Sequence, residues 1–137
     1  MKRVMIFGTF DFLHVGHMYF LRHARTHGDY LIVVVARDET AAALKEHAPI
    51  QTETERAQVL EHIDFIDEVV LGDRVIGSYT ILKQKEPDII AIGYDQKTLA
   101  ESLKAKIAEF KLPTKLVKIK PYQRRYSSKI FLEQLGL

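Results

Sequence analysis

Short runs that are apolar on successive residues, separated by segments with helical spacing, constrain this chain more than any other feature. Val4-Met5-Ile6-Phe7, Leu31-Ile32-Val33-Val34-Val35, Phe65-Ile66-Asp67-Glu68-Val69-Val70-Leu71, Ile89-Ile90-Ala91-Ile92 and Leu116-Val117-Lys118-Ile119 read as five strands. A strand with one wet face alternates apolar and polar residues, whereas an unbroken apolar run needs cover on both faces, the condition of a parallel sheet. Between the runs, Leu21 and Ala24 before Gly28, then Ala57, Leu60 and Ile63, then Leu99, Leu103, Ile107 and Phe110 before Pro113 recur at the spacing of one helix face. The expectation is an α/β fold, a Rossmann-like open parallel five-stranded sheet with helices on both faces. Ligands of such sheets bind beyond the carboxyl ends of the strands, where strand order reverses, so the residues that follow strands become the candidates.

A length of 137 residues suits one core, and Pro49, Pro87, Pro113 and Pro121 all fall between expected elements without a Ser/Gly linker or charge block. One domain over 1–137 is expected. With 47% hydrophobic and 28% charged residues the chain is an ordinary globule, which excludes global disorder. Twenty Lys and Arg against 18 Asp and Glu leave a formal charge of +2, too small for a general polyanion binder. Nucleic acid is therefore not an expected partner, although a local basic cluster could still hold phosphate. The absence of cysteine removes thiolate nucleophiles, disulfides and cysteine metal sites together. Met1-Lys2-Arg3 followed by an apolar run of only Val4 to Phe7 is too short for a signal core or a membrane span, so a cytoplasmic protein without membrane association is expected.

The first strand runs into Gly8-Thr9-Phe10-Asp11-Phe12-Leu13-His14-Val15-Gly16-His17, and a helical pattern follows. Two imidazoles three residues apart at a helix start can face one side, beside unpaired helix N–H groups, and offer donors to a phosphate oxygen. Gly8 allows a close backbone approach, Thr9 brings a hydroxyl and an N–H, and Gly16 leaves space above the helix start. Metal ligation by the pair is the first alternative, weakened by the lack of cysteine and of an obvious third histidine. A structural pair satisfied by backbone groups is the second.

Further candidates follow later strands. Gly93-Tyr94-Asp95-Gln96, after the fourth, can contact a base or ribose, or form a plain strand-to-helix turn capped by Asp95. Near the end, Arg124-Arg125-Tyr126-Ser127-Ser128-Lys129 places two hydroxyls at a helix start among cations, which suits a β- or γ-phosphate or simple capping.

Gly8-Thr9-Phe10-Asp11 with His14-Val15-Gly16-His17 resembles the GTFD…HxGH signature of the nucleotidyltransferase (cytidylyltransferase-like) superfamily. The terminal segment is similar to its second signature, ISSTxIR in adenylyltransferases and RTEGISTTK in glycerol-3-phosphate cytidylyltransferases. It departs by Leu132 in place of an arginine and by Pro121 where the second form begins with arginine. The resemblance implies transfer of a nucleoside monophosphate from an NTP to a phosphorylated acceptor with release of pyrophosphate. His14 and His17 would stabilise the transition state on the phosphates, and no covalent enzyme intermediate is implied. Lys45 and Arg56 match the family's loop lysine and helix arginine and would be brought to the phosphates; as plain charges they could equally sit on a solvated face. Gly8, Thr9, Phe10, Gly16, Gly93, Tyr94, Asp95, Gln96, Tyr126, Ser127 and Ser128 would bind the nucleotide. Mg²⁺ would be held largely by phosphate oxygens and water, with Asp11 the one nearby acid.

Ala36-Arg37-Asp38-Glu39-Thr40, Asp67-Glu68-Val69-Val70-Leu71-Gly72, Pro87-Asp88-Ile89-Ile90 and Tyr126-Ser127-Ser128 make the resemblance nearest to archaeal-type FAD synthases. The implied reaction is ATP with FMN giving FAD and pyrophosphate, by an enzyme that the family pattern leads one to expect as a homodimer. Phe10, Phe12, Tyr94 and Tyr126 are candidates to stack on the flavin ring. CTP with glycerol 3-phosphate is the alternative substrate pair. A nucleotide-binding regulator without turnover is the alternative of another class, against which the intact His14, His17, Lys45 and Arg56 argue.

Overall fold

A computed structural model describes residues 1–45 and 47–122. The elements, in chain order, are β1 (Arg3–Gly8), α1 (Val15–Arg25), β2 (Tyr30–Val35), α2 (Asp38–Lys45), α3 (Glu53–Glu61), β3 (Glu68–Leu71), α4 (Ile81–Lys85), β4 (Ile89–Ile92), α5 (Lys97–Glu109) and β5 (Lys115–Lys118). The strands form one all-parallel sheet in the order β3-β2-β1-β4-β5. The order reverses at β1, between β2 and β4, and that reversal opens a crevice at the ends of β1 and β4.

The unbroken apolar runs have the expected cause. Val4, Ile6, Leu31, Val33 and Val35 face one side and pack with Leu21 and Ala24 of α1 and Leu60 of α3. Their strand neighbours Met5, Phe7, Ile32 and Val34 face the other, against Ile81 and Leu82 of α4 and Leu103 of α5. Each central strand thus buries both faces, at about 1.5–3 kcal/mol for each fully buried large aliphatic side chain.

One strand boundary and two short helices differ from the sequence expectation. The third strand begins at Glu68 and not at Phe65, because Phe65 and Ile66 lie in the turn after α3 (Ile66 N–H to the Ile63 carbonyl, 3.1 Å) while still packing on the core. Apolar content marks burial there, and it cannot by itself distinguish a buried turn from a strand. The helices α2 and α4 carry too few periodic apolar residues to stand out. At the edges, β5 shows Lys115 and Lys118 to solvent, a usual device against edge-to-edge association. Among the described residues no helix is long and apolar enough to cross a membrane.

Candidate active site

The crevice at the strand ends is a cleft of about 1020 Å³ whose floor includes Gly8 and Gly93, the residues closing β1 and following β4. That is the upper end of the size usual for small-molecule sites. His14, Gly16 and His17 line it from the start of α1.

The two histidines build that helix start. His14 is the N-cap: its Nδ1 accepts from the Gly16 N–H at 3.0 Å, and Nδ1 of His17, three residues on, accepts from the His14 N–H at 3.2 Å. This is a capping box made of imidazoles instead of the usual hydroxyl and carboxylate. A backbone N–H can only donate, so each Nδ1 is an acceptor and each neutral ring carries its proton on Nε2. The rings stack with centroids 3.9 Å apart, and Phe10 sits edge-on to His17 at 5.7 Å. Gly16 is required by this packing, since a Cβ there would lie 2.9 Å from the His14 ring.

The connection from β1 to α1 is strained and then pinned. Phe10 and Phe12 adopt φ of 54° and 47°, in the left-handed region that costs a non-glycine residue of order 1 kcal/mol or more. Phe10 is buried with its ring over Gly8, where a Cβ would approach to 2.7 Å. Both carboxylate oxygens of Asp11 accept backbone N–H groups, from Ile50 and Gln51 at 2.9 Å each, and Phe12 N–H donates to the Gln51 side chain. Asp11 therefore clamps the loop before α3 and does not line the cleft.

Arg56 requires the largest correction. It is completely buried, and its guanidinium donates to the Thr9 carbonyl (2.7 Å), the Gln51 carbonyl (3.2 Å) and Asp38 Oδ1 (2.7 Å). It is absent from the cleft wall. Its donors are directed at protein groups that hold the Thr9 loop, so it serves as an internal tie and not as a phosphate contact. Sequence reasoning expects arginine at a surface or a ligand, and nothing in Glu53-x-x-Arg56 alone reveals three waiting acceptors.

The neighbouring charges complete a lattice beneath the cleft. Glu53 accepts from the first N–H of α2, at Asp38, and from Arg37 Nη1, both at 2.9 Å; Arg37 Nε donates to the Gly72 carbonyl at 2.8 Å. The Asp38 N–H bond, opposed by burial and reinforced by Arg37, holds the Glu53 carboxyl below its ordinary range. A depressed folded value means the stabilisation is present above the unfolded carboxylate pKa and is lost as pH falls through the folded one. Glu53→Gln should therefore lower Tm at about pH 7, with the gap to wild type narrowing as the pH falls through the carboxylate range. Thermal unfolding across that range checks this, and an equal gap at both ends would contradict it.

After β4, Gln96 is turned inward: its amide donates to the Phe7 carbonyl (2.8 Å) and its oxygen accepts from Gly93 N–H (2.9 Å), so it ties β1 to β4. Both polar ends are thereby engaged, and Gln96 itself lines the cleft beside Asp95. Tyr94 is 68% exposed and lines the cleft with Asp95. Lys45 closes α2. Thr9 lines the cleft beside Gly8. Arg124, Arg125, Tyr126, Ser127, Ser128 and Lys129 lie outside the described residues. Sequence reasoning missed Arg37 and Lys120, the arginine and lysine of the cleft wall among the described residues. Lys120 follows β5 and so had the signal of its position; Arg37 follows β2 in the same way.

Residues 5–133 match the cytidylyltransferase-like family. The chain belongs to that family. Its resemblance to archaeal-type FAD synthases is borne out as well. It is 42% identical over 120 residues to a protein named FAD synthase of Thermococcus sibiricus, an alignment covering 88% of this chain and 80% of the relative. A second FAD synthase, of Methanosarcina barkeri, is 41% identical over 119 residues, covering 87% and 84%. A solved structure described as the lipopolysaccharide core biosynthesis protein of Thermoplasma volcanium superposes with a TM-score of 0.82 at 37% identity, over 90% of this chain and 99% of that one. This cytidylyltransferase-like chain is an enzyme, a nucleotidyltransferase acting on small molecules.

Proposed function

We propose that the chain transfers the adenylyl group of ATP to FMN, giving FAD and pyrophosphate. The observation that carries this is the imidazole capping box at the switch point of the sheet, set in a chain about 40% identical to proteins named FAD synthase. A phosphate oxygen of FMN attacks the α-phosphorus of ATP, the bond from that phosphorus to the bridging oxygen breaks, and pyrophosphate leaves with the electron pair. No enzyme nucleophile takes part. His14 and His17 donate from Nε2 to phosphate oxygens on which charge grows, and the α1 N-terminus adds its dipole in the same direction.

Gly8 and Thr9 let the phosphates approach the backbone at the end of β1, with Gly16 keeping the His14 ring over the helix start. Lys45 contributes charge to the phosphates. Gly93, Tyr94 and Asp95 receive the nucleoside, and Tyr126, Ser127 and Ser128 hold the β- and γ-phosphates. No cluster of three or more metal-ligating side chains occurs among the described residues. Mg²⁺ held by the triphosphate and water would neutralise charge on the leaving pyrophosphate. The enzyme acts as a cytoplasmic homodimer.

The test is a matrix of ATP and CTP against FMN and glycerol 3-phosphate, with pyrophosphate release as readout. Release with ATP and FMN alone is the expected result. Release with CTP and glycerol 3-phosphate alone would replace the reaction.

A further inference from the structure

Two substrates must meet at the histidines, and the sheet order gives the cleft two sides. Beyond β4 and β5 lie Tyr94, Asp95 and Lys120; beyond β2 and β3 lie Arg37, Leu44 and the Gly72–Ile81 connection. The second side differs in character. Leu44 is 69% exposed, Val75 70% and Ile76 58%, and all three line the cleft. Exposed aliphatic side chains in the wall of a cleft mark a surface that gains by being covered.

The segment bearing Val75 and Ile76 is clamped at its base. The Asp73 carboxylate accepts from the Ser78 and Thr80 hydroxyls at 2.7 Å and from the Thr80 N–H. Burial opposes the charge on Asp73, but these hydrogen bonds outweigh it and hold the carboxyl below its usual range. Gly77 turns the chain at φ 84°, and Tyr79, at φ 47°, sets its ring edge-on to Phe7 at 5.9 Å. Such ties hold the ends of the segment that carries the two aliphatic side chains, a preorganisation that favours a binding surface.

We infer that Leu44, Val75 and Ile76 form the subsite for the planar ring system of the acceptor, and that Val75 and Ile76 select a flavin over a small phosphorylated alcohol. The inference rests on the FAD synthase reading and deepens it. With the nucleoside on the β4 side, the acceptor occupies the β2–β3 side, its phosphate toward the histidines and its ring against the rim. A tricyclic flavin has a broad apolar face to cover these side chains; glycerol 3-phosphate has none and would leave them wet. Asp73 is a positioning residue, acting through the loop it ties.

The test compares wild type with the double variant Val75→Ser/Ile76→Ser, varying FMN and ATP separately and adding lumiflavin, the ring without its ribityl phosphate chain, as a competitor of FMN. Removing pocket aliphatics should raise the KM for FMN and the inhibition constant of lumiflavin at least about tenfold. The KM for ATP should stay within about twofold, and Tm should hold because exposed side chains contribute little to stability. Unchanged FMN and lumiflavin constants, in a chain whose wild type makes FAD, overturn the inference and leave the reaction standing. A wild type that makes no FAD from ATP and FMN overturns both.

Discussion

His17→Ala is expected to lower the rate of nucleotidyl transfer at least about a hundredfold, the usual cost of one preorganised donor to developing charge. The ring also closes a capping box, so lost activity alone would not separate chemistry from folding. His14→Ser separates them. Serine is among the best N-caps, and its hydroxyl can accept from Gly16 N–H as Nδ1 does now, saving most of the roughly 1 kcal/mol that a cap contributes. It brings no donor to where Nε2 stands. The variant should keep its Tm and still lose at least about a hundredfold in rate. Were the histidines only structural caps, serine would restore both, and that outcome would remove them from the chemistry.

Arg56→Ala should act in the opposite sense, on stability before affinity. It removes three hydrogen bonds from a fully buried guanidinium and leaves the Thr9 and Gln51 carbonyls without this donor. Asp38, with its side chain 41% exposed, can rehydrate, so the low end of the cost of breaking a buried pair applies, about 3 kcal/mol. For a domain of this size that is a Tm lower by about 10 °C. Arg56→Lys should recover little of it, because one ammonium cannot span three acceptors that a planar fork reaches together. Activity should fall with the loop that Thr9 anchors. A variant with wild-type Tm and a raised KM for ATP would instead make Arg56 a phosphate ligand.

The contrast between these two residue types explains what the sequence disclosed. Continuous apolar runs disclosed the parallel sheet because burial on both faces leaves a pattern in the residues themselves. The position of Gly8 through His17 after the first strand pointed to the cleft that Gly8, His14 and His17 line, because the architecture fixes where strand ends converge. Hydrogen-bond partners were not legible. Asp11, Arg56 and Gln96 have the residue types of ligand contacts, yet each has a polar atom that meets a backbone group 39 to 89 residues away, a partner that exists only once the chain has folded. The histidine tautomers were hidden for the same reason: they follow from which N–H groups α1 leaves unpaired.

The proposed transfer of AMP from ATP to FMN depends on the histidine pair in this cleft. It is tested most directly with ATP labelled at the α-phosphorus, FMN as acceptor, and wild type beside His14→Ser. Label should enter FAD, with one pyrophosphate for each FAD, and almost none should enter it with the variant. Label that never enters FAD in wild type, or enters it equally with His14→Ser, would contradict it.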